Sequence, residues 1–542
     1  MPRIGLRDSV FRYLVKPELG CVISACPIAS SIGARVLRNG GNAIDAAVAT
    51  GLCLAVTYPQ AGNLGGGGFM LVHSADGEAR YLDYRETAPL LVHSGLFIDG
   101  AGNTTGSSLL GGLAVGVPGT IAGLAEAAAR HGRLGWDRLV AGAIDVAENG
   151  YWITNRQATY LNIYKDDLGR FETTRAWFLP NGKPLEVGTL FKQPDLANCL
   201  RILAADGPSA FYSGRIAERI LHSTTAHGGV LSAEDLAGYR PQWRKPLRVR
   251  VWDRDIYASG PPSGGGAVLG LALRCLEAEG VEQTRPGSIE RCRLLARAFR
   301  AAFAVRFRSV CDPDFAEDDK ALHHLLLNQD SWDGTLSELE RGFGLIDEIG
   351  EPGPSLPERC TTHFVVMDGE GNTVSNTYTL NTLFGNKLIV DKCGFFLNNC
   401  MDDFCIAPNA TNWYRIVESR LNLIVPGKRP PSSMTPTIVC GEGGVELALG
   451  AGGGPRIPTA VAQVIVGVLV DGLRVRDAVS APRVHHQLMP NEVQVETILP
   501  AGVVAELEKW QPVASFPRLG IVCAVHKDAN GHEIHAIQDP RF

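Results

Sequence analysis

The sequence predicts an α+β fold, and three observations carry that prediction. Helical periodicity governs the stretch from Ala25 to about Thr57 and most of the chain from about Gly116 to Arg308. A glycine run in NLGGGGFMLVHS opens into an apolar strand. After a Gly- and Pro-rich acidic stretch, GFGLIDEIGEPGPSLPERC (342–360), the chain turns abruptly to β pattern at residue 361.

Taken in order, CPIASSIGARVLRNGG fits a helix ended by Gly40 and Gly41. NAIDAAVATGLCLAVTYP fits a second, with Asn42 as N-cap and Pro59 as stop. Strand pattern follows at ARYLDYRETAP, with Arg85 at the strand's end, and returns inside the helical region at LRVRVWDRDIYASG. The 342–360 stretch has no periodicity and reads as a connector. TTHFVVMD, the turn GEGN and TVSNTYTLNT then read as a β-hairpin. TAVAQVIVGVLVDGL (459–473) is too short to span a bilayer and reads as a buried helix.

Composition narrows the function classes. With 542 residues, 45% hydrophobic, 20% charged and a net charge of −6 spread along the chain, the composition is that of an ordinary soluble globular protein. There is no basic stripe for nucleic acid and no segment for a membrane. The thirteen cysteines show no CxxC, and neither His323-His324 nor His485-His486 has ligand partners at useful spacing. Reduced thiols are expected, with no metal and no cofactor. The opening MPRIGLRDSVFRYLVKPELG lacks an apolar core followed by a small-residue cleavage site, so a cytoplasmic setting is expected.

The junction at Thr361 is where chemistry enters. A threonine hydroxyl is a weak nucleophile without a base beside it. If the Cys360–Thr361 bond is cut, the freed α-amino group, with a reference pKa of about 7.7 to 8.0, supplies that base. The cut can be made by the residue itself: the Thr361 hydroxyl attacks the Cys360 carbonyl, giving an ester that water opens. Thr-Thr-His alone is an ordinary β-branched strand start. Its surroundings single it out.

The string TTHFVVMDGEGNTVSNTYTLNTLFG closely resembles the segment that opens the small subunit of γ-glutamyltranspeptidases. NGGNAIDAAVAT, LGGGGFMLVH, YRETAP, AVGVPGT, LNNCMDDF, KRPPSSMTPTIV and GAGGGPRI follow that family's order along most of the chain. The resemblance implies a four-layer αββα sandwich of the N-terminal-nucleophile hydrolase class. It also implies large and small portions, here 1–360 and 361–542, that are cut from one precursor and stay associated. It makes Thr361 the nucleophile, Thr379 the threonine that orients or activates it, and Gly453 and Gly454 the oxyanion hole. Preorganised backbone donors of that kind are worth about 3 to 4 kcal/mol each.

For a γ-glutamyl substrate, the resemblance puts Arg85 and the hydroxyls of Ser432 and Ser433 on the α-carboxylate. It puts Asp403 and Asn381 at the ammonium end. The segment 405–427 resembles a lid, with Tyr414 as the aromatic that closes the pocket; its second half, RIVESRLNLIVPG, is less glycine-rich than the family pattern. Position 400 also departs: Cys400 stands where the family usually carries Gln or Glu at the ammonium site, and a thiol cannot reach or accept as those side chains do. The expected activity is cleavage of γ-glutamyl amides through a γ-glutamyl-enzyme, with water or an amine as acceptor. The alternatives are an amidase or acylase for another acyl group, and an unprocessed binding protein.

Overall fold

Two six-stranded sheets, each antiparallel throughout, form the centre of the computed structural model, which describes residues 19–316, 361–407, 410–528 and 533–542. The expected connector 342–360, Cys360 included, lies outside the described residues. The first sheet runs Gly20–Ser24, Thr362–Asp368, Thr373–Thr379, Gly67–His73, Ala79–Tyr84, Gln242–Arg244. The second runs Ile534–Gln538, Ile521–Lys527, Gly444–Gly452, Thr437–Gly441, Arg254–Ala258, Leu247–Val251. Chain from both sides of residue 361 therefore contributes strands to both sheets.

Alternation along the strands builds the layers. In the first sheet, Val22, Met70, Val72, Phe364 and Val366 pack outward against the helices Pro27–Arg38, Ala43–Thr57 and Thr120–His131. Their neighbours Cys21, Ile23, Phe69, Val365 and Met367 point the other way, onto Leu447, Leu449 and Val525 of the second sheet. This is the period of two expected of strands buried on both faces. Helices Gly265–Ala278 and Arg456–Leu469 cover the second sheet, with Ile289–Ser309 packed on the first of them, completing the αββα order.

The local signals act as expected. Asn42 caps the helix Ala43–Thr57 by accepting from the Ile44 and Asp45 N–H groups, and Asp45 returns a bond to the Asn42 N–H. The helix before it ends at Arg38, with Gly40 at φ +87°. LRVRVWDRDIYASG forms a hairpin of Leu247–Val251 and Arg254–Ala258. No helix among the described residues is long and apolar enough to cross a membrane.

Close packing between the sheets demands small residues. A methyl built on Gly450 would lie 2.5 Å from the His363 ring, whereas one on Gly443, in the turn before the same strand, meets nothing within 4 Å. Gly450→Ala is expected to destabilise by about 1 to 3 kcal/mol through overpacking, and Gly443→Ala to be nearly neutral. Urea titration checks this as a fall in midpoint at constant slope for the first variant only.

Candidate active site

Hairpin register creates the first feature of the site. Thr362 pairs with Tyr378 across the Thr362–Asp368 and Thr373–Thr379 ladder, so Thr361 falls opposite Thr379 at its open end. The two Oγ1 atoms are 3.0 Å apart. Thr379 Oγ1 also accepts the Asn381 backbone N–H at 2.9 Å, which leaves its own proton free to point at Thr361. Thr361 has φ +127°, a backbone region L-residues rarely occupy, and such strain costs on the order of 1 to 3 kcal/mol. His363 serves another purpose: burial pushes it down to about 3, and its Nδ1 lies 2.8 Å from Thr377 Oγ1 across the ladder. It is a neutral interior residue.

The second sheet delivers two glycines to the same spot. The strand Gly444–Gly452 runs into Gly453 (φ +142°) and Gly454 (φ +58°), and the helix Arg456–Leu469 follows with Pro455 at its N-cap. A methyl on Gly454 would sit 2.7 Å from the Tyr414 ring, so side chains are excluded. The Gly453 and Gly454 N–H groups donate to no protein acceptor among the described residues. They lie at a helix N-terminus, where the backbone dipole favours negative charge.

Thr361, Thr379, Asn381, Tyr414 and Gly454 line a cleft holding about 370 Å³ of empty space. At its far end are Arg85, Asp403, Ser432 and Ser433. Arg85 follows directly on the strand Ala79–Tyr84, and its carbonyl accepts from the Tyr239 hydroxyl and Arg429 Nη1. Its guanidinium is buried and fully engaged. Nη2 donates to Asp403 Oδ2 at 2.5 Å and the Pro431 carbonyl at 3.0 Å, Nε to the Pro430 carbonyl at 3.3 Å, and Nη1 to Glu86 and Cys400. Burial, with Asp402 and Glu418 nearby, pushes Asp403 up to about 7 against the opposing pull of Arg85.

The structure corrects the position expected of Cys400. Residues 400–403 form one 3-10 turn, so Cys400 and Asp403 share a face and both reach Arg85. Only Asp403 lines the cleft. The Cys400 thiol is fully buried behind the guanidinium, accepts from Arg85 Nη1 at 3.2 Å and donates to Glu86 Oε1 at 3.1 Å. Burial raises it well above its usual range, so it stays a thiol. Asn381 lines the cleft as well, with its Nδ2 donating to the Asn399 carbonyl at 3.0 Å. Ser432 Oγ accepts the Met434 N–H at 3.1 Å.

A Gamma-glutamyltranspeptidase family profile matches residues 29–542. The chain belongs to the γ-glutamyltranspeptidase family. It is 37% identical over 542 residues to the glutathione hydrolase proenzyme of Escherichia coli, covering 99% of this chain and 93% of that protein. The proenzyme of the same name from Pseudomonas aeruginosa is 38% identical over 535 residues, with 96% and 93% covered. Among solved structures, the cephalosporin acylase of Bacillus halodurans is similar at TM-score 0.84 and 25% identity, covering 100% of this chain and 97% of that one. The γ-glutamyltranspeptidase of Helicobacter pylori is similar at TM-score 0.57 and 37% identity, covering 59% of this chain and 91% of that one.

Four residues lining the cleft or packed behind its lining escaped the sequence reading. Glu86 and Asp402 sit inside motifs that were read for their neighbours. Arg306 and Glu418 line the cleft from the helix Ile289–Ser309 and from the lid, and no motif announces them. The described part of the lid is tied down by Asp402, which accepts the Trp413 N–H at 2.8 Å and the Ser108 hydroxyl at 2.8 Å. Tyr414 secures it again by donating its hydroxyl to the Asn381 carbonyl. Tyr414→Phe removes a bond worth about 1 kcal/mol, so the lid is expected to open about fivefold more often. Limited proteolysis within 405–427 should accelerate by that factor at an unchanged folding midpoint.

Proposed function

We propose that this chain is a self-processing threonine hydrolase and transferase of γ-glutamyl amides. In this reading the Cys360–Thr361 bond is cut by Thr361 itself, and the new α-amino group then serves as base. Thr361 Oγ1 attacks the γ-carbonyl, and Thr379, held by the Asn381 N–H, orients that oxygen. The Gly453 and Gly454 N–H groups receive the oxyanion, and the amine leaves with a proton from the Thr361 amino group. Water or a second amine then opens the γ-glutamyl ester. The observation that carries the reading is the 3.0 Å pairing of Thr361 and Thr379 hydroxyls beside two glycine N–H groups that have no acceptor among the described residues.

Other features support it. The torsional strain at Thr361 is relieved when the bond before it breaks, which favours self-cleavage. Since portions 1–360 and 361–542 share both sheets, two fragments would remain locked together. The carboxylate of a γ-glutamyl donor fits beside Ser432 and Ser433, where the charge of Arg85, its N–H groups already bonded to protein acceptors, acts on it through space, and its ammonium fits Asp403. A cytoplasmic setting fits the cysteines, which form no disulfide among the described residues.

Two outcomes follow. Wild-type protein should separate into two chains with threonine as the new N-terminus, while Thr361→Ala stays at 58.1 kDa; intact mass and N-terminal sequencing check this. The second concerns pH. Asp403 must be ionised to hold an ammonium, and its carboxyl is pushed up to about 7, so protonation begins near neutrality. As pH falls from about 8 to about 6, kcat/KM for an amino-bearing γ-glutamyl donor should fall more steeply than for the des-amino glutaryl analogue. The N-terminal amine titrates equally with both donors, so the difference between the profiles reports the ammonium site, with Arg85, Asp402 and Glu418 as its charged neighbours.

A further inference from the structure

Position 400 offers no oxygen to the cleft, so another group has room to act there. Glu418 enters from the part of the lid, RIVESRLNLIVPG, that is poorer in glycine than the family pattern. It lines the same cleft as Asp403 and Thr361, although its side chain is only 3% exposed. Arg306 Nη2 donates to its Oε1 at 2.6 Å, and Asn422 Nδ2 donates to its Oε2 at 3.2 Å. Two bonds do not saturate a carboxylate, which offers about four acceptor positions.

The pair stands beside the Ser432–Ser433 wall of the cleft. Arg306 lies against Gly264, where a methyl would come within 2.8 Å of its Cγ and Nε, and the Gly264 N–H donates to the Ser432 carbonyl at 2.8 Å. Arg306 is thus one residue removed from the Ser432–Ser433 wall. Glu418 is near enough to Asp403 for its charge to act on that carboxyl. Arg85 cannot be the whole answer to ligand charge, because every one of its nitrogens already serves a protein acceptor. Arg306 differs: beyond its bond to Glu418, its Nε is buried without a partner and its Nη1 meets no acceptor among the described residues.

We propose that Glu418, positioned by Arg306, is a specificity-determining residue that shares the donor's α-ammonium with Asp403 and replaces the oxygen side chain missing at position 400. The inference rests on the γ-glutamyl reading above and deepens it. An acyl donor with an ammonium one carbon from its carboxylate gains both contacts, and an acyl chain without the amine leaves Glu418 paired only within the protein. Selection therefore falls on amino-bearing donors.

The test uses processed enzyme with L-γ-glutamyl-p-nitroanilide and glutaryl-p-nitroanilide. Glu418→Gln should raise KM for the first by roughly ten- to hundredfold, the range of one charge-assisted bond, with kcat nearly unchanged and the glutaryl donor unaffected. Glu418→Asp, which keeps the charge and shortens the reach, should raise KM for the amino donor alone and by less. It also supplies the test if the glutamine variant fails to process. An equal fall on both donors would make Glu418 a lid latch and overturn the proposal, as would no change on either. Wild-type enzyme that turns over neither donor would instead remove the γ-glutamyl reading itself.

Discussion

The ladder between Thr362–Asp368 and Thr373–Thr379 fixes the frame to which the rest of the cleft is referenced. Its register sets Thr361 opposite Thr379, and a slip of one strand by one residue would turn its hydroxyl to the other side of the sheet, away from its partner. The flanking partners hold that register: Gly20–Ser24 on one side and Gly67–His73 on the other, with residues buried on both faces. Small residues then let neighbours come close. A methyl on Gly66 would lie 2.0 Å from the Thr379 carbonyl, and one on Gly452 would lie 2.2 Å from the Thr361 carbonyl. The second glycine is what brings Gly453 and Gly454, from the other sheet, to the hydroxyl pair.

Charge organises the far end of the cleft. Arg85 and Arg306 face Glu86, Asp403 and Glu418, all largely removed from water. Buried charges persist only when paired and hydrogen-bonded, and breaking one such pair typically costs about 3 to 5 kcal/mol. These three carboxylates face two guanidinium groups, and burial, with Asp402 and Glu418 adding to it, raises the carboxyl of Asp403 against the pull of Arg85. In the proposed reading an arriving ammonium corrects that imbalance, so the packing that holds the cleft together would also favour a positively charged ligand group.

Much of this was legible in the sequence. The turn GEGN between two β-branched runs sets the hairpin length, and from that length follows the meeting of Thr361 and Thr379. Asn42 with Asp45 announces a helix start, and the Arg85 position follows from the strand before it. The strands Thr437–Gly441 and Gly444–Gly452 were not read, since one is short and the other carries glycines that weaken the β signal while serving close packing. Gly20–Ser24 was hidden because a single short edge strand has too few residues to show a period. Cys400 was misplaced because its orientation depends on a 3-10 turn that sequence spacing does not disclose. The Arg306–Glu418 pair joins residues 112 apart, and its partners become visible only when helix and lid are packed together.

Capture of the acyl-enzyme is the most direct test that Thr361 is the nucleophile. Processed enzyme would be incubated with an electrophilic glutamine analogue, digested, and its peptides mapped by mass. A single adduct on the peptide that begins at Thr361, absent when Thr379→Ala enzyme is treated alike, is the predicted result. An adduct on any other residue, or loss of activity with Thr361 unmodified, would contradict the assignment of the nucleophile and the catalytic geometry built around it.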